Sequence, residues 1–593
     1  MKKFLMGVGL FTVIILALSI IVLITFGIRG FSSSMISHSE PFVLYIDFSQ
    51  PIVEKLPVDP LQRLTSRNSI TLLDLIRTID HAAANPLVKG IVADFSEVSL
   101  GAAKAQEIRN AIQRFQESGK FTVAYADTYF GMGTGTLVYY LASVFDEIYM
   151  NSTGDVGFVG LGIEPLFFGD MLKNLGIVSY MDQRYEYKGV ADMFNENGYT
   201  NARKESDTTL LNSLFTTIVE DVASSRKMTV DQVRELVDSA PFFGREAIDA
   251  GLVDGFQYWD QVESLIEQKV GRKADLVKPG EYLAQEMKPF PKKGNYVIAL
   301  VYGVGQVIRG KSSSSMSGGD MMSSGVMMEA FRRIREDGDV DVVVFRIDSP
   351  GGSPVASATI DHEVQLTREA GIPVIVSMGD VAGSGGYYVA MSADTIFAQP
   401  MTLTGSIGVA GGKMVFGNLL NRLGIVHEDT HVGNQAMIFS VFKDPTQKEK
   451  EKLNAMMDRI YQDFTQGVMA GRKLTVEEID SVARGRIWTG ADAKGVKLVD
   501  ELGGLYEAIQ KARELAGAPE DAESVLRIYP RKKSLMEIIR DPDTGFFAKT
   551  IQSLRSFYRL MELIGNPILD EMTKINRYGS NETLMVGQGA ENL

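Results

Sequence analysis

The chain has 593 residues, more than one hydrophobic core organises, so at least two domains are expected. Hydrophobic residues at 45%, charged residues at 23% and a mean hydropathy of +0.01 exclude a disordered chain and a polytopic membrane protein. A net charge of -14 and a pI of 5.1 argue against binding nucleic acid by phosphate neutralisation, and the absence of cysteine removes disulfides, thiolate metal sites and cysteine nucleophiles.

From Phe4 to Ile28 no residue is charged, and a helix of this length, ~37 Å, spans a bilayer core. A cleavable signal peptide has a shorter apolar region followed by small residues, whereas this run ends in Gly27-Ile28-Arg29-Gly30-Phe31, which favours an uncleaved anchor. Lys2 and Lys3 precede the run and only Arg29 follows it closely, so the N-terminus is expected in the cytoplasm and the rest of the chain across the membrane. With those three charges set aside, the exported part carries -17.

The chain then repeats itself. A shift of 248 places Tyr139-Tyr140 on Tyr387-Tyr388, Asp146 on Asp394, Gly157 on Gly405, and Leu175 to Val178 on Leu423 to Val426. A shift of 246 matches Arg226-Lys227 with Arg472-Lys473 and Leu252-Val253-Asp254 with Leu498-Val499-Asp500. Two α/β copies are expected, at 40–255 and 295–515, with a connector at 256–294 and a helical tail at 516–593. In the second copy, Tyr296 to Val301, Val340 to Ile347 and Pro373 to Met378 are β-branched runs that read as buried strands, and Ala356 to Ala370 and Gly386 to Ala393 read as helices. In the first, Lys104 to Ser118 and Tyr139 to Val144 read as helices. Lys311 to Gly325, rich in Ser, Gly and Met, reads as a loop, and Phe546 to Ile564 as an amphipathic packing helix.

Two glycine-rich turns follow buried strands: Asp348-Ser-Pro-Gly-Gly-Ser353 and Asp380-Val-Ala-Gly-Ser-Gly-Gly-Tyr387. Such turns can aim backbone amides at an anionic oxygen, and Ser384 stands directly before a helical run, where the helix dipole favours an oxyanion. Serine is also a common N-cap, and by composition alone capping is the commoner role. The repeat singles out the positions at which the copies differ. Ser384 falls on Thr136, Ser406 on Phe158, and Lys188 on Ala436, as if one serine/lysine site were divided between the copies. Chance divergence is the alternative.

Ser-Pro-Gly-Gly-Ser (349–353), Ala-Gly-Ser-Gly-Gly-Tyr-Tyr (382–388) and Leu-Thr-Gly-Ser-Ile-Gly (403–408) resemble the signature segments of the protease IV, or signal peptide peptidase A, family of serine peptidases. The duplicated length, the N-terminal apolar run and Tyr187-Lys188-Gly189 resemble its long form. This resemblance covers roughly 40–515. It implies two tandem Clp protease/crotonase-like domains built of ββα units behind one transmembrane helix. Ser384 would be the nucleophile and Lys188 the general base, with Ser406 supporting the lysine and the amides of Gly352 and Gly385 forming the oxyanion hole. It further implies an endopeptidase of the bacterial inner membrane that degrades apolar peptides such as cleaved signal peptides on the periplasmic side, as a homotetramer without metal or cofactor.

A histidine base would have to come from His38, His81, His362, His427 or His431, with His431 the candidate. No His-Glu-x-x-His or phosphate-loop pattern occurs. Asp320 and Asp348 are expected as loop and strand-end residues, with Asp348 fixing its turn. A crotonase-like acyl-thioester enzyme and a catalytically silent membrane scaffold are the rival functions. Whether Ser384 and Lys188 meet within one chain or between neighbours is open at this stage.

Overall fold

Apolar β-branched runs alternate with helices in both copies, and each copy folds them into a parallel sheet. The computed structural model describes residues 38–57, 69–130, 135–288, 290–291, 293–311, 320–519 and 522–530. The apolar run Phe4 to Ile28, the stretch Phe546 to Ile564 and most of the Ser/Gly/Met-rich loop lie outside the described residues. Among the described residues, no helix is long and apolar enough to cross a membrane.

The first sheet runs Gly255–Phe256, Glu147–Met150, Phe121–Ala126, Val88–Asp94, Phe42–Asp47, Asp275–Val277, with every pair parallel. The second runs Ile487–Thr489, Leu403–Gly405, Val374–Gly383, Val342–Ser349, Val297–Val304, Val525–Tyr529. All its pairs are parallel except Leu403–Gly405 with Ile487–Thr489. Central strands of parallel sheets are covered on both faces, which is why Val342 to Phe345 and Val374 to Val376 are completely buried. Both sheets end in a strand from the segment that follows their copy. Asp275–Val277, inside the stretch expected to be a connector, pairs with Phe42–Asp47, and Val525–Tyr529 pairs with Val297–Val304. Three short residues gave no strand pattern of their own; the free edge of the sheet organises them.

The repeat extends to individual bonds. Tyr139 donates its hydroxyl to the Leu252 carbonyl and Tyr387 to that of Leu498, both at 2.8 Å. Asp254 accepts the Ile148 amide at 2.7 Å, and Asp500 that of Ile396 at 2.8 Å. Helices Asn201–Arg226 and Gln447–Arg472 each have 26 residues and end on a lysine in the left-handed conformation, Lys227 and Lys473.

The copies part where the second extends strand Val374–Gly383. Its first half pairs with Thr395–Ala398 and its second half, Val381 to Gly383, with Leu403–Gly405. That extension carries the chain out of the sheet to Ser384. The copies are joined by an antiparallel ribbon, Val178–Arg184 of the first with Val409–Val415 of the second, in the register Arg184 opposite Val409 and Val178 opposite Val415.

Candidate active site

Ser384 caps the four-residue helix Gly385–Tyr388 with φ 54° and ψ -118°. Positive φ is costly for a residue with a Cβ, roughly 1–3 kcal/mol, and here the neighbouring turns enforce it. The Ser384 amide donates to the Gly405 carbonyl at 2.8 Å. The Gly351-Gly352 turn packs directly alongside, so close that a Cβ on Gly351 would lie 2.7 Å from the Gly385 nitrogen and 2.8 Å from Ser384 Cβ. Gly351 and Gly352 adopt φ 103° and 152°, conformations that favour glycine. On its other side this turn is held by Val307, which donates its amide to the Gly351 carbonyl and accepts from Ser353, leaving the Gly352 amide turned away from Val307.

Lys188 comes from the first copy, just past the cross-copy ribbon. The Tyr185 and Tyr187 amides both donate to the Arg484 carbonyl of the second copy, at 3.0 and 3.2 Å. Gly485 makes room: a Cβ there would sit 2.6 Å from the Lys188 backbone. The Lys188 amine lies 3.0 Å from Ser384 Oγ, 2.7 Å from the Ser406 carbonyl oxygen and 2.9 Å from Ser406 Oγ. Among the described residues no carboxylate pairs with it, and burial lowers its pKa to about 8. A neutral amine has two hydrogens and one lone pair. The two Ser406 oxygens take the hydrogens, which leaves the lone pair for the Ser384 hydroxyl proton. Ser406 is itself held at φ 49°, by its amide's bond to the Arg486 carbonyl at 2.8 Å.

The five positions singled out from the sequence, Ser384, Lys188, Ser406, Gly352 and Gly385, thus meet in one place within one chain. Their counterparts in the other half do not form a second such group. Thr136 donates to the Gly160 carbonyl at 2.8 Å, Phe158 is buried against the Tyr139 ring, and Ala436 has only a methyl group to offer. The histidines are occupied elsewhere: His38 with Glu286, His81 with Tyr282 and His431 with Asp429, while His362 is exposed on its helix and His427 packs against Phe442. His431 is therefore not the partner of Ser384; Lys188 is. Asp320 lies 3.3 Å from Lys55, and Asp348 accepts the Val381 amide at 3.1 Å, linking the two glycine-rich turns.

Sequence reasoning passed over Arg346, completely buried among Glu54, Glu107 and Ser377, and Lys104, which reaches Asp348 and Asp380. A signal existed for the first, since a charge within Val342-Val-Val-Phe-Arg346-Ile has to be paired.

The model of Peptidase family S49 matches residues 114–273 and 367–519. The chain is 31% identical to Protease 4 of Haemophilus influenzae over 470 residues, 76% of this chain and 74% of that protein. It is 29% identical to the chloroplastic serine protease SPPA of Arabidopsis thaliana over 461 residues, 76% and 67% of the two chains. Among solved structures, a ClpP1 mutant from Listeria monocytogenes is similar over 35% of this chain and 94% of its own, at 14% identity and a TM-score of 0.24. The chain belongs to Peptidase family S49. It is a serine-type peptidase, and the acyl-thioester and silent-scaffold readings fall away.

Proposed function

We propose that the protein is a membrane-anchored endopeptidase that uses Ser384 and Lys188 to cleave apolar peptides, including the remnants of signal peptides, on the far side of the bacterial inner membrane. The observation that carries this is the 3.0 Å approach of the Lys188 amine to Ser384 Oγ. In the neutral form the amine takes the hydroxyl proton as Ser384 Oγ adds to the scissile carbonyl. The carbonyl oxygen becomes an oxyanion between the Gly352 and Gly385 amides, a contribution of ~3–4 kcal/mol for one good donor. The lysine then gives its proton to the leaving amine, and water hydrolyses the acyl-enzyme by the same route in reverse. A buried amine without a carboxylate partner suits an apolar substrate, because a peptide that excludes water keeps the lysine neutral. The anchor rests on the uncharged run Phe4 to Ile28, and the Clp/crotonase-like class of the two copies on the signature turns.

The homotetramer draws support from the ribbon between the copies. Moving both of its strands by the repeat shift of 248 turns Val409–Val415 into 161–167 and Val178–Arg184 into 426–432. Among the described residues neither of these segments has a strand partner, and each exposes apolar side chains, with Leu166 68% and Val432 98% exposed. The two segments of one chain would pair with those of its neighbours, head to tail, and such contacts close into rings.

The test is Ser384→Ala and Lys188→Ala, made separately and assayed on an apolar fluorogenic peptide. Both are expected to lose essentially all turnover, and either one cleaving at the wild-type rate would overturn the dyad.

A further inference from the structure

Strand Val342–Ser349 carries Asp348 next to its end, and strand Val374–Gly383 carries Asp380 where its pairing passes from Thr395–Ala398 to Leu403–Gly405, so each aspartate lies a few residues ahead of a turn that contributes to the site. Two carboxylates so placed repel one another unless a cation stands between them. That cation is Lys104, from the first turn of helix Ala102–Gln116 in the other copy, at 2.8 Å from Asp348 Oδ2 and 3.0 Å from Asp380 Oδ2. The attachment is double. The Lys104 backbone amide also donates to Asp380 Oδ1 at 3.0 Å, so Asp380 caps a helix whose own N-cap, Gly101, has no side chain to do so. A Cβ at Gly101 would lie 2.1 Å from the Asp380 carboxylate carbon, and only glycine permits this approach. Behind Lys104, Glu54 stands 3.6 Å away and accepts two bonds from Arg346, which also binds Glu107 at 2.6 Å. Glu107 in turn accepts the Leu505 amide at 2.7 Å.

We infer that Lys104 is a positioning residue: by gripping Asp348 and Asp380 together it sets the separation of the Gly352 turn from the Ser384-Gly385 turn, and hence the geometry of the oxyanion hole. The two turns are in van der Waals contact, so a shift of a few tenths of an ångström at either aspartate moves the amides relative to Ser384. The first copy thereby acts on the site twice, through Lys188 at the nucleophile and through Lys104 at the far ends of both turns. This inference rests on the Ser384/Lys188 reading above.

The experiment compares wild type, Lys104→Met, Asp380→Asn and Ser384→Ala as full chains, with active sites counted by a serine-directed phosphonylating probe. For Lys104→Met, kcat per titrated site should fall at least tenfold with KM within twofold. Affinity for a peptide aldehyde, whose hemiacetal oxygen occupies the oxyanion hole, should fall by a similar factor. The acid limb of the pH–rate profile should stay where it is, because Lys188 is untouched. Asp380→Asn keeps an acceptor for the helix amide and loses only the ion pair; a smaller fall of the same kind, threefold or more, is expected, and it decides the matter if Lys104→Met does not fold. A kcat and an aldehyde affinity both within twofold of wild type would overturn the inference. Activity in Ser384→Ala would instead overturn the dyad on which it rests.

Discussion

Gly485 of the second copy lies against the backbone of Lys188 of the first, with no room for a single methyl group between them: a Cβ on Gly485 would sit 2.6 Å from Lys188 Cα. Gly485 also has φ 89°, which a residue with a side chain rarely adopts. Gly485→Ala should therefore displace the lysine while leaving both cores intact. A misplacement of about 1 Å costs on the order of 100-fold in rate. Turnover of an apolar peptide should fall by about that factor with the circular dichroism spectrum and melting temperature close to wild type.

The depressed pKa of Lys188, about 8, gives activity a direction with pH. Only the neutral amine accepts the Ser384 proton, so kcat/KM should rise tenfold per pH unit below about 8 and level off above it. Lys188→Arg, which stays protonated throughout, should be inactive at every pH. A profile of kcat/KM from pH 5 to 10 checks both statements.

The same shift bears on stability. Its folded-state pKa lies below the unfolded value of 10.5, so the unfolded chain binds more protons between about pH 8 and 10.5 and wild-type stability from this group rises across that window. Lys188→Met removes the buried amine. It should be inactive yet more stable at pH 7 by roughly 1–3 kcal/mol, after allowing for the lost hydrogen bonds, with the gain fading as pH rises through 8 toward 10.5. Denaturant melts at pH 7 and pH 10 measure the difference.

Head-to-tail pairing of 161–167 with 426–432 predicts which substitutions disassemble the protein. Leu166→Asp and Val432→Asp put a charge on an exposed apolar edge, the usual device against strand pairing. Each should reduce the detergent-solubilised particle to a single chain by light scattering. Cleavage of a short peptide should survive, since the Ser384/Lys188 pair lies within one chain.

The sequence made the site legible through a comparison internal to the chain. The 248 shift aligns Ser384, Ser406 and Lys188 with Thr136, Phe158 and Ala436, and those are positions where the structure has a cluster in one place and none in the other. Buried strands were legible too, because Val342–Ser349 and Val374–Gly383 are apolar along their central stretches, although the second runs five residues beyond the Met378 expected as its end. That excess is set by pairing with Leu403–Gly405, each residue with a partner 22 positions further along. The ribbon Val178–Arg184 with Val409–Val415 was illegible for the same reason, since among the described residues neither strand has a partner in its own copy. The contacts of Lys104 with Asp348 and of Gly485 with Lys188 cross the seam between the copies, and no local pattern announces a contact made at such a distance in sequence.

The covalent joining of the copies has a consequence for how the enzyme meets dilution. Lys188 and Ser384 are separated by 196 positions on one polypeptide, and the ribbon fixes their effective concentration irrespective of how many molecules surround them. Specific activity of the wild-type chain should thus remain constant down to concentrations at which any ring has come apart. A peptidase that borrowed its lysine from a separate subunit would instead lose specific activity in proportion to its dilution once the subunits had separated.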